Sequence, residues 1–443
     1  MKKLIKNVRI VNEGKITEGD LLISRERIEK VGGIIEANGA KEIDGKGNFL
    51  LPGVIDDQVH FREPGLTHKA DIGTESRAAV AGGTTTFMEM PNTKPPALTQ
   101  EALQSKYDRA AQVSPANYSF FMGASNENIE EVLKTNQDEV CGVKIFMGSS
   151  TGNMLVDDQQ TLENLFSQVP LLIATHCEDE KTIRDNTADY IKRFGNNIPF
   201  SAHPEIRSVE ACYKSSSLAI SMAKKYNTRL HILHISTEEE LALFQNDEPL
   251  EQKRITSEVC VHHLYFDASQ YESLGSKIKC NPAIKESRHK EALMRALLDD
   301  RLDIIATDHA PHLLKEKDGA YLDAPSGLPL VQHSLNIMLD FYQKGALSLE
   351  KVVEKMCHAP AICFQIANRG YIREGYFADL VLVDLDSEYE VTKDNILFKC
   401  GWSPLEGKVF KNKVLSTFVN GHIAYQNGRV NRDLHGQRIT FSR

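Results

Sequence analysis

Between residues 53 and 308 the chain returns again and again to short apolar runs, at 53–60, 84–90, 118–122, 142–147, 171–176, 229–234, 255–259 and 303–308. Short runs rich in apolar residues, of about four to eight positions, are what strands buried in a parallel sheet look like. Between them lie amphipathic or alanine-rich stretches at 75–81, 102–112, 179–193, 208–225 and 289–298, which predict helices. Eight such strands with helical crossovers predict an α/β fold, a (β/α)8 TIM barrel. A doubly wound open sheet is the alternative, but it would not bring the first and eighth strand ends together. The two ends of the chain have a different texture. Residues 4–11, 20–24, 378–384, 417–421 and 423–425 alternate between apolar and polar, with Gly14, Gly32 and Gly33 as turn signals. This pattern predicts a small β-sandwich formed where the termini meet, residues 1–52 and 368–443 supplying its two parts around a barrel at 53–367.

Five of the apolar runs close on a residue able to take part in a metal centre: Val59-His60, Val143-Lys144, Thr175-His176, Leu233-His234 and Thr307-Asp308. Functional groups of parallel α/β proteins gather where the strands end. The five are therefore expected to converge on one site. A single histidine is more often a hydrogen-bonded core or surface residue, and it is the shared position that singles out His60, His176 and His234. His231, three residues before His234, would face the other side of its strand and is expected to be structural. Glu258, His262 and His263 are expected to supply supporting hydrogen bonds. Lys144 is the unusual member, because an ammonium cannot ligate a metal and is costly among Val143, Ile145 and Phe146. Burial lowers the pKa of a lysine, and the neutral amine can add carbon dioxide to give an anionic carbamate with two oxygens able to bridge two ions. Asp308, set where an apolar strand meets Thr307-Asp-His-Ala-Pro-His312, can bind a metal and receive a proton. Histidine nitrogens and carboxylate oxygens without cysteine suit Zn²⁺, with manganese or cobalt as replacements. The polar segment 315–327 follows the last strand and is placed to form a loop over the site.

The composition narrows the partners. With 443 residues, 41% hydrophobic and 26% charged, the chain suits a globular protein with one large domain and a smaller one. A formal net charge of -9 argues against nucleic acid as a partner, though a small anionic substrate is admissible if the site carries its own cations. Lys6, Asn7 and Arg9 interrupt the first apolar stretch, which is not a signal-peptide core, and no run reaches the length of a membrane span. The eight cysteines are scattered without a Cys-x-x-Cys pair, as expected of free thiols in a reducing cytoplasm.

Taken together, Asp56-Asp-Gln-Val-His-Phe-Arg-Glu-Pro-Gly65, Gly82-Gly-Thr-Thr-Thr86, Met90-Pro-Asn-Thr93, Val143-Lys-Ile-Phe146, His176-Cys-Glu-Asp179, His234-Ile-Ser-Thr237, Glu258-Val-Cys-Val-His-His263, Lys279-Cys-Asn-Pro282, Thr307-Asp-His-Ala-Pro-His312 and Gly375-Tyr-Phe-Ala-Asp379 resemble the amidohydrolase superfamily, specifically its dihydroorotases. The resemblance implies that His60, His176, His234, carboxylated Lys144 and Asp308 hold zinc, and that Arg62, Asn92, Asn281 and His312 grip the substrate. It implies reversible hydrolysis of the ring amide of dihydroorotate to N-carbamoyl-aspartate, with Asp308 moving the proton from water to the departing nitrogen. A guanidinium suits the substrate carboxylate, and the Asn92 and Asn281 amides can both donate and accept. By analogy with related enzymes, self-association is also expected.

One position departs from the resemblance. Relatives present His-x-His on the first strand, whereas this chain has Gln58-Val59-His60, and a neutral amide oxygen is a poor zinc ligand. In the implied layout one ion uses the first-strand histidines, Asp308 and the carbamate, and the other uses the carbamate, His176 and His234. One tight ion is expected, with a second that is loose or absent. Two other readings compete: an allantoinase or hydantoinase type of cyclic amidohydrolase, and a non-catalytic dihydroorotase-like scaffold subunit, for which Gln58 is the only support.

Overall fold

The structure is a computed structural model that describes residues 2–148 and 153–443. The alternating N-terminus forms β1 (Lys2–Asn12) and β2 (Lys15–Ser24), an antiparallel hairpin. Its two-residue loop, Glu13-Gly14, has both φ angles positive, at 51° and 71°, the twist that a tight hairpin demands and that glycine supplies without steric cost. β3 (Arg27–Val31) pairs with β2, while β4 (Lys41–Asp44) and β5 (Phe49–Pro52) lie parallel to β1.

The chain then enters the parallel region through β6 (Val54–Val59), β7 (Thr84–Glu89), β8 (Asn117–Phe120), β9 (Met122–Gly123), β10 (Val143–Phe146), β11 (Ile173–His176), β12 (Leu230–Ile232), β13 (Ile255–Cys260) and β14 (Ile304–Ala306). All eight expected runs are strands. The third is split into β8 and β9 around Phe121, whose N–H instead reaches the Glu89 carbonyl at 3.0 Å. Two parallel sheets result, ordered β6-β7-β8 and β14-β13-β12-β11-β10-β9. Val59 makes a parallel bridge to His309, and His60 N–H donates to the His309 carbonyl at 2.7 Å, tying the first strand to the residues that follow the last. The five amphipathic stretches are the helices Ile72–Ala81, Gln100–Val113, Glu180–Phe194, Val209–Tyr226 and Ser287–Leu298. Asp71, Thr99 and Ser208 cap three of them by accepting from backbone N–H groups in the first turn.

The second half of the terminal sheet comprises β15 (Leu380–Asp384), β18 (Lys413–Val419), β19 (His422–Gln426) and β20 (Arg429–Val430); the short strands β16 (Tyr389–Glu390) and β17 (Val409–Phe410) pair apart from it. The order β20-β19-β18-β15-β5-β1-β2-β3, with β4 also on β1, makes one nine-stranded sheet from both ends of the chain. Its alternation separates two cores. Phe49, Leu51, Val381 and Val383 join the main core with the helices, whereas Leu50, Leu380 and Leu382 join Ile5, Val8, Leu21, Ile23 and Phe418 in a second one. The last residues return to the parallel region: Arg438 bridges Tyr118, and Arg443 donates to the carbonyls of Gln137, Val140 and Cys141. Among the described residues no helix is long and apolar enough to cross a membrane, and all eight cysteines are unpaired.

Candidate metal and active site

A cavity of about 90 Å³ is lined by Gln58, His60, Arg62, Asn92, Lys144, Phe146, His176, His234, Asn281, Asp308, Ala310, Ser326 and Gly327. All five expected metal residues are there, and so are three of the four expected substrate residues. The fourth, His312, lies just behind: its Nε2 is 3.1 Å from Arg62 Nη2 and 3.0 Å from the Ser326 carbonyl, while its Nδ1 takes a hydrogen bond from Lys69.

Position along the strands differs from the sequence reading in two respects. Lys144 is the second residue of β10 and not its last. His234 and Asp308 lie two residues beyond the hydrogen-bonded ends of β12 and β14, with left-handed φ angles of 40° and 44°, and Arg62 adopts φ 69°. Such conformations are uncommon for non-glycine residues and persist only when the surroundings enforce them. For His234 the enforcing group is Glu258, whose Oε1 accepts from the His234 N–H at 3.1 Å. The other oxygen of Glu258 meets His231, itself held by Thr256. Burial works against a charged His231, but the carboxylates of Asp57 and Glu258, each with an oxygen 3.3 Å from its Nε2, outweigh it and lift its pKa to about 9.

The metal residues fall into two close pairs. His60 Nε2 is 3.1 Å from Asp308 Oδ1, and His176 Nδ1 is 2.9 Å from His234 Nε2. In the first pair His60 Nδ1–H donates to Asn92 Oδ1 at 2.8 Å, so Nε2 is the ring nitrogen that faces the carboxylate. Burial holds His60 below its ordinary pKa, which favours the neutral ring. Burial pushes Asp308 up, yet the His60 hydrogen bond and the neighbouring imidazoles keep it ionised, below the usual carboxylate range. In the second pair His176 Nε2–H donates to Glu178 at 2.8 Å, and Glu178 is clamped by Arg207. One hydrogen is then shared between His176 and His234, and Nδ1 of His234 is left without a partner. The separation of 2.9 Å is near the edge of a zinc coordination tetrahedron, roughly 3.3 Å for Zn–N bonds of about 2.0 Å. Lys144 Nζ is also buried with no hydrogen-bond partner, and burial lowers its pKa to about 7, against the pull of Cys177, Glu258 and Asp308. An orphaned amine, an orphaned imidazole nitrogen and a carboxylate 3.1 Å from an imidazole fit a cation held by these residues. Glu178 and Asn92 occupy the supporting places that metal-bound histidines require.

Arg62 is buried, and burial lowers its pKa to about 10, within the range where it stays charged at neutral pH. Asn281 Oδ1 is buried and unpartnered, whereas Asn92 has its oxygen engaged by His60 and keeps only its NH₂ for other contacts. The segment after β14 is fastened over the cavity: Lys317 donates to the carbonyls of Lys279, Pro325 and Gly327. Three contributors were not singled out from sequence: Arg207 on Glu178, Lys69 on His312, and Trp402, whose Nε1–H donates to the His312 carbonyl at 2.7 Å. Of these only Trp402 has a signal, being the sole tryptophan. His262 was expected to give supporting hydrogen bonds and makes none from its ring.

A family model described as the amidohydrolase family matches residues 49–424. A dihydroorotase from Halobacterium salinarum is 32% identical over 409 residues, covering 91% of this chain and 93% of its own. A dihydroorotase from Pyrococcus abyssi is 32% identical over 435 residues, covering 97% of each chain. Among solved structures, an L-hydantoinase (dihydropyrimidinase) from Arthrobacter aurescens superposes with a TM-score of 0.94 at 26% identity, over 99% of this chain and 100% of that one. A dihydropyrimidinase from Brevibacillus agri, at 24% identity and a TM-score of 0.89 over the whole of both chains, is a likeness of fold. Matched by the family model from 49 to 424 and by dihydroorotases along nearly its whole length, the chain belongs to the amidohydrolase family.

Proposed function

We propose that this chain is a dihydroorotase, a metal-dependent hydrolase that opens and closes the ring amide of dihydroorotate. The parallel strands would close as a (β/α)8 barrel, with residues 1–52 and 368–443 forming a β-sandwich beside it. The observation that carries the reading is one small cavity in which the metal-type residues His60, Lys144, His176, His234 and Asp308 share a wall with Arg62, Asn92 and Asn281. Zinc, when bound there, would polarise the ring carbonyl and acidify the attacking water. Lys144, as its carbamate, would serve both ions, with His176 and His234 on one side and His60 and Asp308 on the other. Asp308 takes the proton from the attacking water at its carboxylate and delivers it to the ring nitrogen as the C–N bond breaks. Arg62 takes the substrate carboxylate, and its Nε–H bond to the Pro311 carbonyl at 3.2 Å together with the Trp402 contact at the His312 carbonyl fixes its approach. The Asn281 oxygen is free to accept from a ring N–H, and the Asn92 amide to donate.

The test is an assay of the purified protein with dihydroorotate, hydantoin and allantoin side by side. Turnover of dihydroorotate well above the other two is expected, because only dihydroorotate brings a carboxylate to Arg62. Preference for hydantoin would overturn the substrate assignment, and no turnover of any of the three would support a scaffold subunit. Arg62→Gln should raise the KM for dihydroorotate by about ten- to a hundredfold, the scale of one charge-assisted pair. An unchanged KM would remove Arg62 from the substrate site.

Gln58 weakens the ion on the His60 side. Dialysis against a weak chelator should therefore strip that ion first, and Gln58→His should retain one more ion per chain than the wild type after the same dialysis. Equal metal content in the two proteins would show that position 58 does not set retention.

A further inference from the structure

Across from Gln58, at the carboxyl end of β13, Cys260, His262 and His263 bring a thiol sulfur and two imidazole nitrogens within 4.8 Å of one another. All three are buried, and the two rings lie 4.2 Å apart between centroids. Buried imidazoles normally find partners for both nitrogens. Here neither ring nitrogen of His262 has one, and Nδ1 of His263 is likewise bare, its Nε2 being held by the Pro282 carbonyl at 3.1 Å. Burial keeps both rings neutral, so they do not serve as buried cations paired to carboxylates.

Of the nearby carboxylates, Asp57 is engaged by His231 at 3.3 Å, and Asp308 bears on the Cys260 sulfur as a negative charge. On the cavity side the sulfur faces Gln58 Oε1 at 3.6 Å. An imidazole at position 58 would complete the cavity's own ligand set; the amide instead turns an oxygen toward Cys260. Sulfur with two imidazole nitrogens is a donor set suited to Zn²⁺ and ill suited to magnesium or calcium.

We propose that Cys260, His262 and His263 form a cation site of their own for zinc or a similar borderline metal, separate from the cavity ligands, with the Gln58 oxygen facing its fourth position. Binding replaces the Cys260 S–H bond with a sulfur–metal bond and releases the thiol proton to solvent. The site does not depend on which cyclic amide the cavity takes.

The experiment reloads the chelator-treated, full-length protein with Co²⁺ as a probe. The wild type should develop a sulfur-to-cobalt charge-transfer band in the near ultraviolet. Cys260→Ser should lose that band together with one bound Co²⁺ per chain, and His263→Gln should do the same if the serine variant folds poorly. Cys177→Ser and Lys144→Met, which alter the cavity side, should keep the band. A wild type without the band overturns the proposal, as does a band that survives both Cys260→Ser and His263→Gln or that disappears in Cys177→Ser.

Discussion

Asp308→Asn should leave a folded protein whose turnover of dihydroorotate falls by at least about a thousandfold, the scale lost when a positioned acid–base group is removed. The amide is nearly isosteric with the carboxylate, so the left-handed backbone at this position, φ 44°, has no new strain to absorb. What changes is the charge. As a carboxylate held below its usual pKa by His60 and the neighbouring imidazoles, Asp308 is ionised and ready to receive a proton at neutral pH. The amide cannot accept that proton, and it leaves a neutral group where a charged oxygen faces His60 Nε2 at 3.1 Å. The same variant should therefore lose the ion on the His60 side more readily than the one on His176 and His234. Initial rates in both reaction directions, with circular dichroism as the control for folding, check this. Activity within about tenfold of the wild type would exclude Asp308 as the proton carrier.

Much of this site is visible in the sequence because fully buried parallel strands leave a strong mark. Every residue of β6, β7 and β10 is buried, and each carries its apolar residues on both faces of the strand, as in Val54-Ile55, Phe87-Met88 and Ile145-Phe146. The polar residue that interrupts or follows such a run is conspicuous. The position of that residue within its strand is much less visible. Lys144 sits inside β10, and His234 and Asp308 stand clear of their strands on left-handed backbone, because the conformation is imposed by distant groups such as Glu258 and leaves no local signature. Strands β4 and β5 escaped for opposite reasons. β4 is mostly exposed and polar at the sheet edge, and Phe49-Leu-Leu-Pro52 merges in the sequence with the apolar run of β6. Long-range partners were out of reach altogether: Arg207 finds Glu178 across 29 positions, and Trp402 finds His312 across 90.

Lys144→Met carries the second large effect, and its two readouts move in opposite directions. In the metal-free protein the lysine is a liability. Its Nζ is buried without a hydrogen-bond partner, and burial lowers its pKa from 10.5 to about 7. The unfolded chain therefore holds the lysine proton between about pH 7 and 10.5 while the folded chain does not. Folding stability of the metal-free wild type should rise with pH through that window, and below it the full penalty, of order a few kcal/mol, applies. Methionine fills a similar volume with no charge to desolvate, so the variant should be the more stable protein near neutral pH, and the lysine's part of the pH slope should vanish. Urea midpoints measured at the two ends of the window check the sign. Catalysis should collapse in the same variant, by about a thousandfold or more, because the thioether cannot take up carbon dioxide and the two pairs His60–Asp308 and His176–His234 lose the residue common to both. A lysine kept for packing alone would give a variant that gains stability and keeps its activity. A gain in stability together with loss of turnover and of bound metal marks a residue retained at a cost to the fold because the chemistry needs a neutral amine at that depth.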